Sequence, residues 1–443
     1  MMIKPYNRIM ILGLDLGTTN SCCCDGTGRV LRSPCGSELT PSYVTVGPSH
    51  VVCGEAAKAH GDPDVTFWNF KRTVGKSYTD CKALIHQWPL LKPEHPDKDE
   101  PLFGATLNGR YVQSTPTQLY VHLIRYMLRD VTEPIQQVVA TVPAHYTSVQ
   151  RDATQRAVRQ ATRCDKVRLL NEPTAAAIAY IDTHDTAETI LVVDVGGGTT
   201  DVTLVQGHTV VRSQGTSEVG GASMTAKLKA HVLQEKLPCP TDYEALKKSL
   251  SVYDEVSGVT RRVYDELIRG DVEAICSLAG EVADGYTVDT VVLCGGTTRT
   301  PLLQSRLRNI FKHVCTDMCP DTTVARGAAL YARRDKVADV LTQPLCVRVR
   351  HDDVHVVVPA NTPLPYKSTF NFKPMRSQQA HMALHLYQGD QPNASSNTRL
   401  GTWRTVSKHK FTVTITVNHG GQVRVAHGSS VVVDGKATIA HPS

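Results

Sequence analysis

Three apolar runs of strand length end in glycine-rich turns. Ile11 to Ser21 reads ILGLDLGTTNS, Ile190 to Thr203 reads ILVVDVGGGTTDVT, and Val288 to Gln304 reads VDTVVLCGGTTRTPLLQ. The first two share one order: apolar run, Asp-x-Gly, a turn of Gly and Thr, then a second strand-like run. A motif that recurs at such a distance predicts duplicated halves, not a short-period array. In the third run, Gly295 and Gly296 fall between a strand and a helix, and Pro301 suits that helix's first turn. From about Leu345 the pattern changes to short alternating runs: CVRVR, VHVVV, HMALHLYQG, KFTVTITVN, QVRVA and SVVVDG. Turn signals such as GDQPNASSN and NHGG separate them. This pattern predicts an all-β sandwich. Cys22, Cys23 and Cys24 lie between the first glycine turn and the hairpin signal DGTGRV. Consecutive strand residues face opposite ways. The triplet therefore predicts small apolar fillers of a buried strand, not a metal site.

The two Asp-x-Gly turns have the chemistry of a phosphate clamp. Glycine lets backbone N–H groups approach phosphate oxygens with no Cβ in the way. Threonine hydroxyls add donors. A carboxylate at the strand end repels phosphate but can hold hydrated Mg²⁺, which bridges to phosphate. Two such hairpins facing each other would grip the β- and γ-phosphates of a nucleotide. The third turn has the shape of a backbone passing close to a flat ligand such as adenine.

Composition narrows the class. The 443 residues are 41% hydrophobic and 20% charged, with a net charge of +6, as in ordinary globular chains. No run approaches the ~18 apolar residues of a membrane span. The opening MMIKPYNRIMILGLDLG lacks a secretory cleavage pattern, and the tail TIAHPS is not a targeting address. A cytoplasmic protein is the expectation. The basic groups Arg156 and Arg159, and Arg333, Arg334 and Lys336, read as solvated helix faces, and no direct nucleic-acid contact is expected. The 13 cysteines contain no C-x-x-C pair, so reduced thiols are expected. Cys315 and Cys319 come nearest to metal spacing, with no histidine spaced to complete a site. Asn393-Ala394-Ser395 fits a glycosylation sequon and is read as chance.

Three glycine turns in this order resemble the superfamily of actin, the sugar kinases and the DnaK-type heat-shock chaperones. LLNEPTAAAIAY (Leu169 to Tyr180) resembles the DnaK-type connecting helix. GSELTPSYV, NFKRTVG, VVATVPAHYTSVQRDAT, VVDVGGGTTDVT, VLCGGTTRTPLLQ and PDTTVARGAALYA are similar to that family in the same order. The resemblance implies an ATPase domain over residues 9–335, with two actin-like lobes, each built on a ribonuclease-H-like α/β fold. ATP or ADP would lie in the cleft with Mg²⁺, and K⁺ is a further candidate. Carried over by position, Asp15 and Asp194 would orient Mg²⁺. Gly17, Thr18, Thr19 and Asn20 would form the first phosphate turn, with Asn20 where the family often has tyrosine. Gly196, Gly197, Gly198 and Thr199 would form the second. Lys71 would reach the γ-phosphate and the attacking water, and Glu172 and Asp201 would position that water and the metal. Such groups supply the positioning and charge neutralisation that phosphoryl transfer needs. Glu244, Lys247, Lys248 and Ser251, in YEALKKSLS, would flank the adenine. Lys248 replaces the family's usual arginine, which removes a planar guanidinium from the base. Gly295, Gly296, Thr298, Arg299 and Asp321 would complete that pocket. Pro143 and Arg151 match the pair linked in this family to communication between domains. From the sequence alone, Pro143 ends a strand and Arg151 opens an exposed helix.

Residues 336–344 would form a degenerate interdomain linker that keeps one Val-Leu pair, Val340 and Leu341. ANTPLPYKSTF, LHLYQGD and FTVTITVNHGGQVRVA resemble the β-part of the family's peptide-binding domain, so 345–443 is read as a truncated peptide-binding-like β-sandwich. With the sequence ending at Ser443, no helical lid is expected, and the segments Gly221 to Glu244 and Ser251 to Gly295 are shorter than the family pattern. The resemblance implies an ATP-dependent chaperone of the stress response. Its partners would be a J-domain co-chaperone, unfolded or nascent polypeptide and a nucleotide exchange factor, with no membrane contact. The alternative is a nucleotide-holding co-chaperone or ribosome-associated scaffold with little turnover. A sugar kinase or actin-like filament fits NEPTAAAIAY and the β-domain poorly.

Overall fold

The run MILGLD forms β1 (Met10–Asp15). The Gly-Thr-Thr turn folds it back antiparallel into β2 (Asn20–Asp25), with Asp15 opposite Cys22 and Leu14 opposite Cys23. β3 (Val30–Leu31) follows a tight turn in which Gly28 takes a φ of +84°. The computed structural model describes residues 9–81, 91–95, 98–107, 109–184, 188–207, 209–333, 339–349, 351–373, 382–405, 411–427 and 432–434. Linker residues 336–338, and Arg334 and Lys336 of the basic group, lie outside them.

β4 (Ile135–Val142) lies parallel beside β1, and β5 (Val167–Asn171) parallel beside β4. The sheet order is β5-β4-β1-β2-β3, with Thr40–Pro41 paired to β2 off this path. The second Asp-x-Gly run repeats the plan. β6 (Thr189–Val195) and β7 (Thr200–Gln206) form the hairpin and β8 (Thr209–Thr216) extends it. β9 (Thr290–Cys294) and β10 (Val314–Cys315) then add in parallel, giving β8-β7-β6-β9-β10. In strand order and direction the two sheets match, so the sequence echo is also a topological one.

The principal helices are α1 (Pro116–Met127), α2 (Ser148–Thr162), α3 (Glu172–His184), α4 (Gly221–Gln234), α5 (Tyr243–Leu250), α6 (Arg261–Ala283), α7 (Pro301–Ile310) and α8 (Thr323–Tyr331). Capping boxes at Thr115/Gln118 and Thr147/Gln150 start α1 and α2. One core joins the first sheet to α1 and α2 through Leu12, Val138, Leu119 and Ala157. A second joins the other sheet to α4 and α6 through Val193, Leu228 and Ile268. A third core gathers Val139, Val192, Ile178 and Ala328, placing α3 and α8 between the remaining sheet faces. The alanine-rich sequences of α3 and α8 allow backbone contact: a Cβ on Gly327 would lie 1.7 Å from Ala175 O, and one on Gly13 2.3 Å from Ala329 N. The cysteine triplet is fully buried. Cys23 enters the first core, while Cys22 and Cys24 face Ala325 and Ala329, as strand alternation requires.

The C-terminal part is all β. β11 (Leu345–Arg348), β12 (Val354–Val358), β13 (Tyr366–Phe372), β14 (Met382–Gln388), β15 (Thr398–Thr405), β16 (Phe411–Val417), β17 (Val423–His427) and β18 (Val432–Asp434) form two sheets. Their orders are β12-β11-β14-β15-β18 and β13-β16-β17, and Leu345, Leu386, Trp403, Val413 and Ile415 share one core. Val340 and Leu341 pair antiparallel with Pro363 and Thr362. Val340 enters the core around α3 and α8, and Leu341 that of the β-domain. The surviving Val-Leu pair is thus an embedded seam. Among the described residues, no helix is long and apolar enough to cross a membrane.

Candidate functional site

Each repeated half brings its hairpin turn to one cavity of about 610 Å³. In the first turn, Ser42 N donates to Thr19 O and Ser42 Oγ to Gly17 O, both at 2.8 Å. Gly17 has no room for a side chain: its Cβ would lie 1.9 Å from Asn20 O. In the second, Gly196 N donates to Thr199 O at 3.0 Å. The start of α4 grips the same turn through Gly221 N to Gly196 O and Ala222 N to Gly197 O. The two turns meet tip to tip. A Cβ on Gly197 would lie 2.2 Å from Thr19 Oγ1, and one on Gly198 3.2 Å from Thr18 Oγ1.

Asp15, Lys71, Glu172 and Asp194 line the cavity beside these tips. Lys71 sits on a short 3-10 turn, Phe70–Thr73, and its Nζ donates to Glu172 Oε1 at 2.6 Å. Both side chains are buried. Burial works against the Lys71 charge, but Glu172, Tyr146 and Asp15 together outweigh it and Lys71 stays protonated. The acids exceed the cations. Burial pushes the Asp15, Glu172 and Asp194 carboxyls up, Glu172 to about 7 against the pull of Lys71. At Asp194 the charges of Glu172, Asp201 and Asp15 add to the rise. Carboxylate and hydroxyl oxygens with surplus negative charge suit a hard divalent cation such as Mg²⁺. Asp201 stands behind the wall, opposite Asp194 in the β6–β7 register. It is 1% exposed and lies 3.1 Å from His145 Nδ1.

The other end of the cavity is built by α5 and the third glycine turn. Glu244, Lys247, Lys248 and Ser251 all line it. Lys247 is already engaged by Glu244 Oε2 at 2.7 Å and Gly221 O at 2.9 Å. Gly295 adopts a φ of +76°, and its Cβ would lie 2.3 Å from Val195 O; only glycine fits without strain. Arg299 Nη2 donates to Asp321 Oδ2 at 2.6 Å, and both residues face the cavity with Gly296. Thr298 points elsewhere: it is fully buried and its hydroxyl donates to Gly295 O, while Thr297 faces the cavity instead. Gly198 likewise faces Arg72 and Thr18, not the cavity wall.

Arg151 is not on an exposed helix face, as its place on α2 alone suggests; it lies where the residue matched to interdomain communication would lie. It is 3% exposed, in the first turn of α2. It donates to Tyr146 O and Ala144 O at 2.9 Å, to Asn171 Oδ1 at 2.7 Å, and to Gly420 O of the β16–β17 turn at 3.1 Å. A buried guanidinium needs such a full set of acceptors. Pro143 ends β4 as expected. Arg72 was missed. Its Nε is buried without a hydrogen-bond partner among the described residues, 2.9 Å from where Gly198 would carry a Cβ. Its only sequence signal was its place beside Lys71.

A family model described as Hsp70 protein matches residues 11–249 and 260–437, and the chain belongs to this family of chaperones. Chaperone protein DnaK of Thermus thermophilus is 29% identical over 456 residues, covering 89% of this chain and 73% of that protein. The Heat shock cognate HSP70 protein of Trypanosoma brucei brucei is 29% identical over 492 residues, covering 94% and 72%. Chaperone protein dnaK1 of Prochlorococcus marinus (strain MIT 9313) is 28% identical over 454 residues, covering 89% and 68%.

Proposed function

We propose that this protein is an ATP-dependent chaperone that hydrolyses ATP to ADP and phosphate and transiently holds unfolded polypeptide. In this reading residues 9–335 are an actin-like ATPase of two ribonuclease-H-like lobes, 336–344 the linker, and 345–443 a peptide-binding-like β-sandwich. The observation that carries it is the tip-to-tip meeting of the two glycine turns beside the buried Lys71–Glu172 pair.

Backbone N–H groups of the first turn, Gly17 to Asn20, and of Gly197 and Thr199 in the second would hold the phosphates, with the Thr18, Thr19 and Thr199 hydroxyls as further donors; Gly196 N is already spent on Thr199 O inside its own turn. Asp15 and Asp194 would hold hydrated Mg²⁺, which supplies charge neutralisation on the phosphates. Lys71 adds a fixed positive charge where the γ-phosphate loses its bridging bond. Glu172, raised to about 7, is suited to take a proton from the attacking water near neutral pH. Asp201 orients from behind. Glu244, Lys247, Lys248, Ser251, Gly295, Gly296 and Arg299 would enclose the nucleoside.

A hydrogen-bonded relay supports coupling between the parts. Tyr146 OH donates to Lys71 O at 2.9 Å, Arg151 Nε donates to Tyr146 O, and Arg151 Nη1 donates to Gly420 O. Around it, Val423 N donates to Ser148 Oγ and Ser148 N to Gln388 Oε1, both at 2.8 Å, and Gln422 donates to Asp152. A J-domain co-chaperone and an extended peptide are the partners this reading requires.

Single-turnover ATP hydrolysis, with and without a J-domain protein and a model peptide, tests it. Stimulation by both is expected. Tight nucleotide binding without turnover would favour the nucleotide-holding co-chaperone instead. Asp194→Asn should abolish turnover and leave binding largely intact; surviving turnover would remove Asp194 from the metal site.

A further inference from the structure

Away from the cleft, three ligand-type side chains that are remote in sequence converge. His184 is the last residue of α3, Cys315 ends β10, and Asp317 follows two residues on. His184 Nε2 lies 3.3 Å from Asp317 Oδ2, and Cys315 Sγ lies 2.7 Å from Asp317 Oδ1. The three ligand atoms all fall within 4.8 Å of one another. The sequence pair Cys315 and Cys319 is not what assembles: Cys319 is exposed and sits 3.9 Å from Arg299 Nη2. The histidine comes from the other side of the third core, out of reach of any spacing rule.

The imidazole is fixed in a ligating posture. Its ring stacks on Tyr180, with centroids 4.1 Å apart and planes 21° apart. Its Nδ1 lies 3.1 Å from Tyr180 O. A carbonyl only accepts, so Nδ1 carries a proton and Nε2 is the nitrogen that can present a lone pair to a metal. That lone pair faces a carboxylate oxygen, and two acceptors at this distance need a positive charge between them. An Nδ1–H bonded to a carbonyl is also the usual outer support of a metal-bound histidine.

We infer that His184, Cys315 and Asp317 form a zinc site with three protein ligands and a fourth position open to water. Tetrahedral zinc with nitrogen, sulfur and oxygen ligands sets its ligand atoms about 3.3–3.7 Å apart. The Nε2–Oδ2 separation already has that value. The thiol, already within 4.8 Å of the other two ligand atoms, sits at the end of a two-residue strand and has only a short way to move. A sulfur donor beside imidazole selects zinc over Mg²⁺ or Ca²⁺. On binding, the Cys315 proton passes to solvent, the hydrogen bond to Asp317 is lost and a zinc–sulfur bond replaces it. The site would tie the C-terminal end of α3, whose first residue is Glu172, to the loop that continues to Pro320 and Asp321 in the cleft wall.

The test uses the full chain, stripped of metal and saturated with Mg²⁺-ADP, and titrated with Co²⁺ as the probe. One equivalent should give a thiolate-to-cobalt charge-transfer band that stoichiometric Zn²⁺ bleaches. The oxygen donors of the cleft cannot produce that band, so the result is independent of the nucleotide assignment. Cys315→Ser should abolish it. His184→Gln and Asp317→Asn should weaken binding at least about tenfold. Both lie toward solvent, so they carry the test if the buried cysteine variant fails to fold. Melting curves of the metal-free variants check folding. No band at one equivalent would mean that a proton, not a metal, bridges His184 and Asp317, and would overturn the proposal. So would a band in Cys315→Ser at unchanged affinity, or full affinity in both other variants.

Discussion

At the scale of single residues, the cleft depends on where side chains are absent. Gly197→Val would drive a branched Cβ into Thr19 Oγ1, which lies 2.2 Å from the ideal Cβ position. Nucleotide affinity should fall at least about tenfold, since a turn held by its own backbone bonds cannot retreat. Calorimetric titration with ADP, beside an unchanged far-UV spectrum, checks this. Glu172→Gln keeps the shape and removes the proposed base, so turnover should drop by about 10²–10⁴ with nucleotide affinity little changed. Quench-flow hydrolysis alongside binding separates the two. The same residue gives a pH signature. A carboxyl raised in the fold favours its protonated form, so its contribution is intact below 4.5 and is lost as pH rises toward about 7. Asp15 and Asp194 shift in the same direction. Cation-bound nucleotide offsets that loss, so the rise in melting temperature given by Mg²⁺-ADP should be larger at about pH 7.5 than at about pH 5.5. An equal rise at both would show that the bound cation does not face these carboxyls. Asp15 and Asp194 were legible in the sequence because each closes a strand before a glycine turn. Lys71 and Glu172 were legible only through resemblance. Arg72 and Thr297 were not: that Arg72 packs on the second glycine turn, and that Thr297 and not Thr298 faces the cavity, depends on a local twist that composition does not encode.

At the scale of elements, the hairpins and the alternating strands from β11 onward were readable, because burial on one face writes a period of two into the chain. β13 and β15 were harder. β13 is only half-buried along its length, so its apolar signal is diluted by exposed Lys367, Thr369 and Asn371. The contact between α3 and α8 was not readable. It rests on Gly327, whose Cβ would strike Ala175 O at 1.7 Å. Gly327→Ala should destabilise the fold by about 1–3 kcal/mol through overpacking. Because α3 starts at Glu172, it should also slow hydrolysis. Chemical denaturation and single-turnover kinetics on one preparation test both. Loss of stability with unchanged kinetics would show that α3 does not carry the shift to its N-terminus.

At the scale of the whole molecule, Arg151 joins what the sequence presents as separate parts. Its place on α2 alone suggests exposure, because the acceptors that enclose it, Ala144 O, Tyr146 O, Asn171 Oδ1 and Gly420 O, come from outside that helix, the last from the β16–β17 turn. Arg151→Ala should loosen that junction. Trp403 provides a built-in reporter, since it lines a small pocket with Ser148, Val149 and Asp152. Its emission should shift to longer wavelength in the variant, and stimulation of hydrolysis by peptide should fall. An unshifted spectrum would mean that the remaining bonds, through Gln422 and Ser148, hold the junction without it. The close fit of Gly13 against Ala329 has a further consequence, for the timing of biosynthesis. β1 leaves the ribosome well before α8, the helix that covers it, because the whole of the second sheet is made between them. At typical translation rates about 15–60 s separate the two. During that interval the first sheet waits with one apolar face uncovered, so under the proposed function a growing copy of this chain would itself be the kind of nascent client that a finished copy would hold.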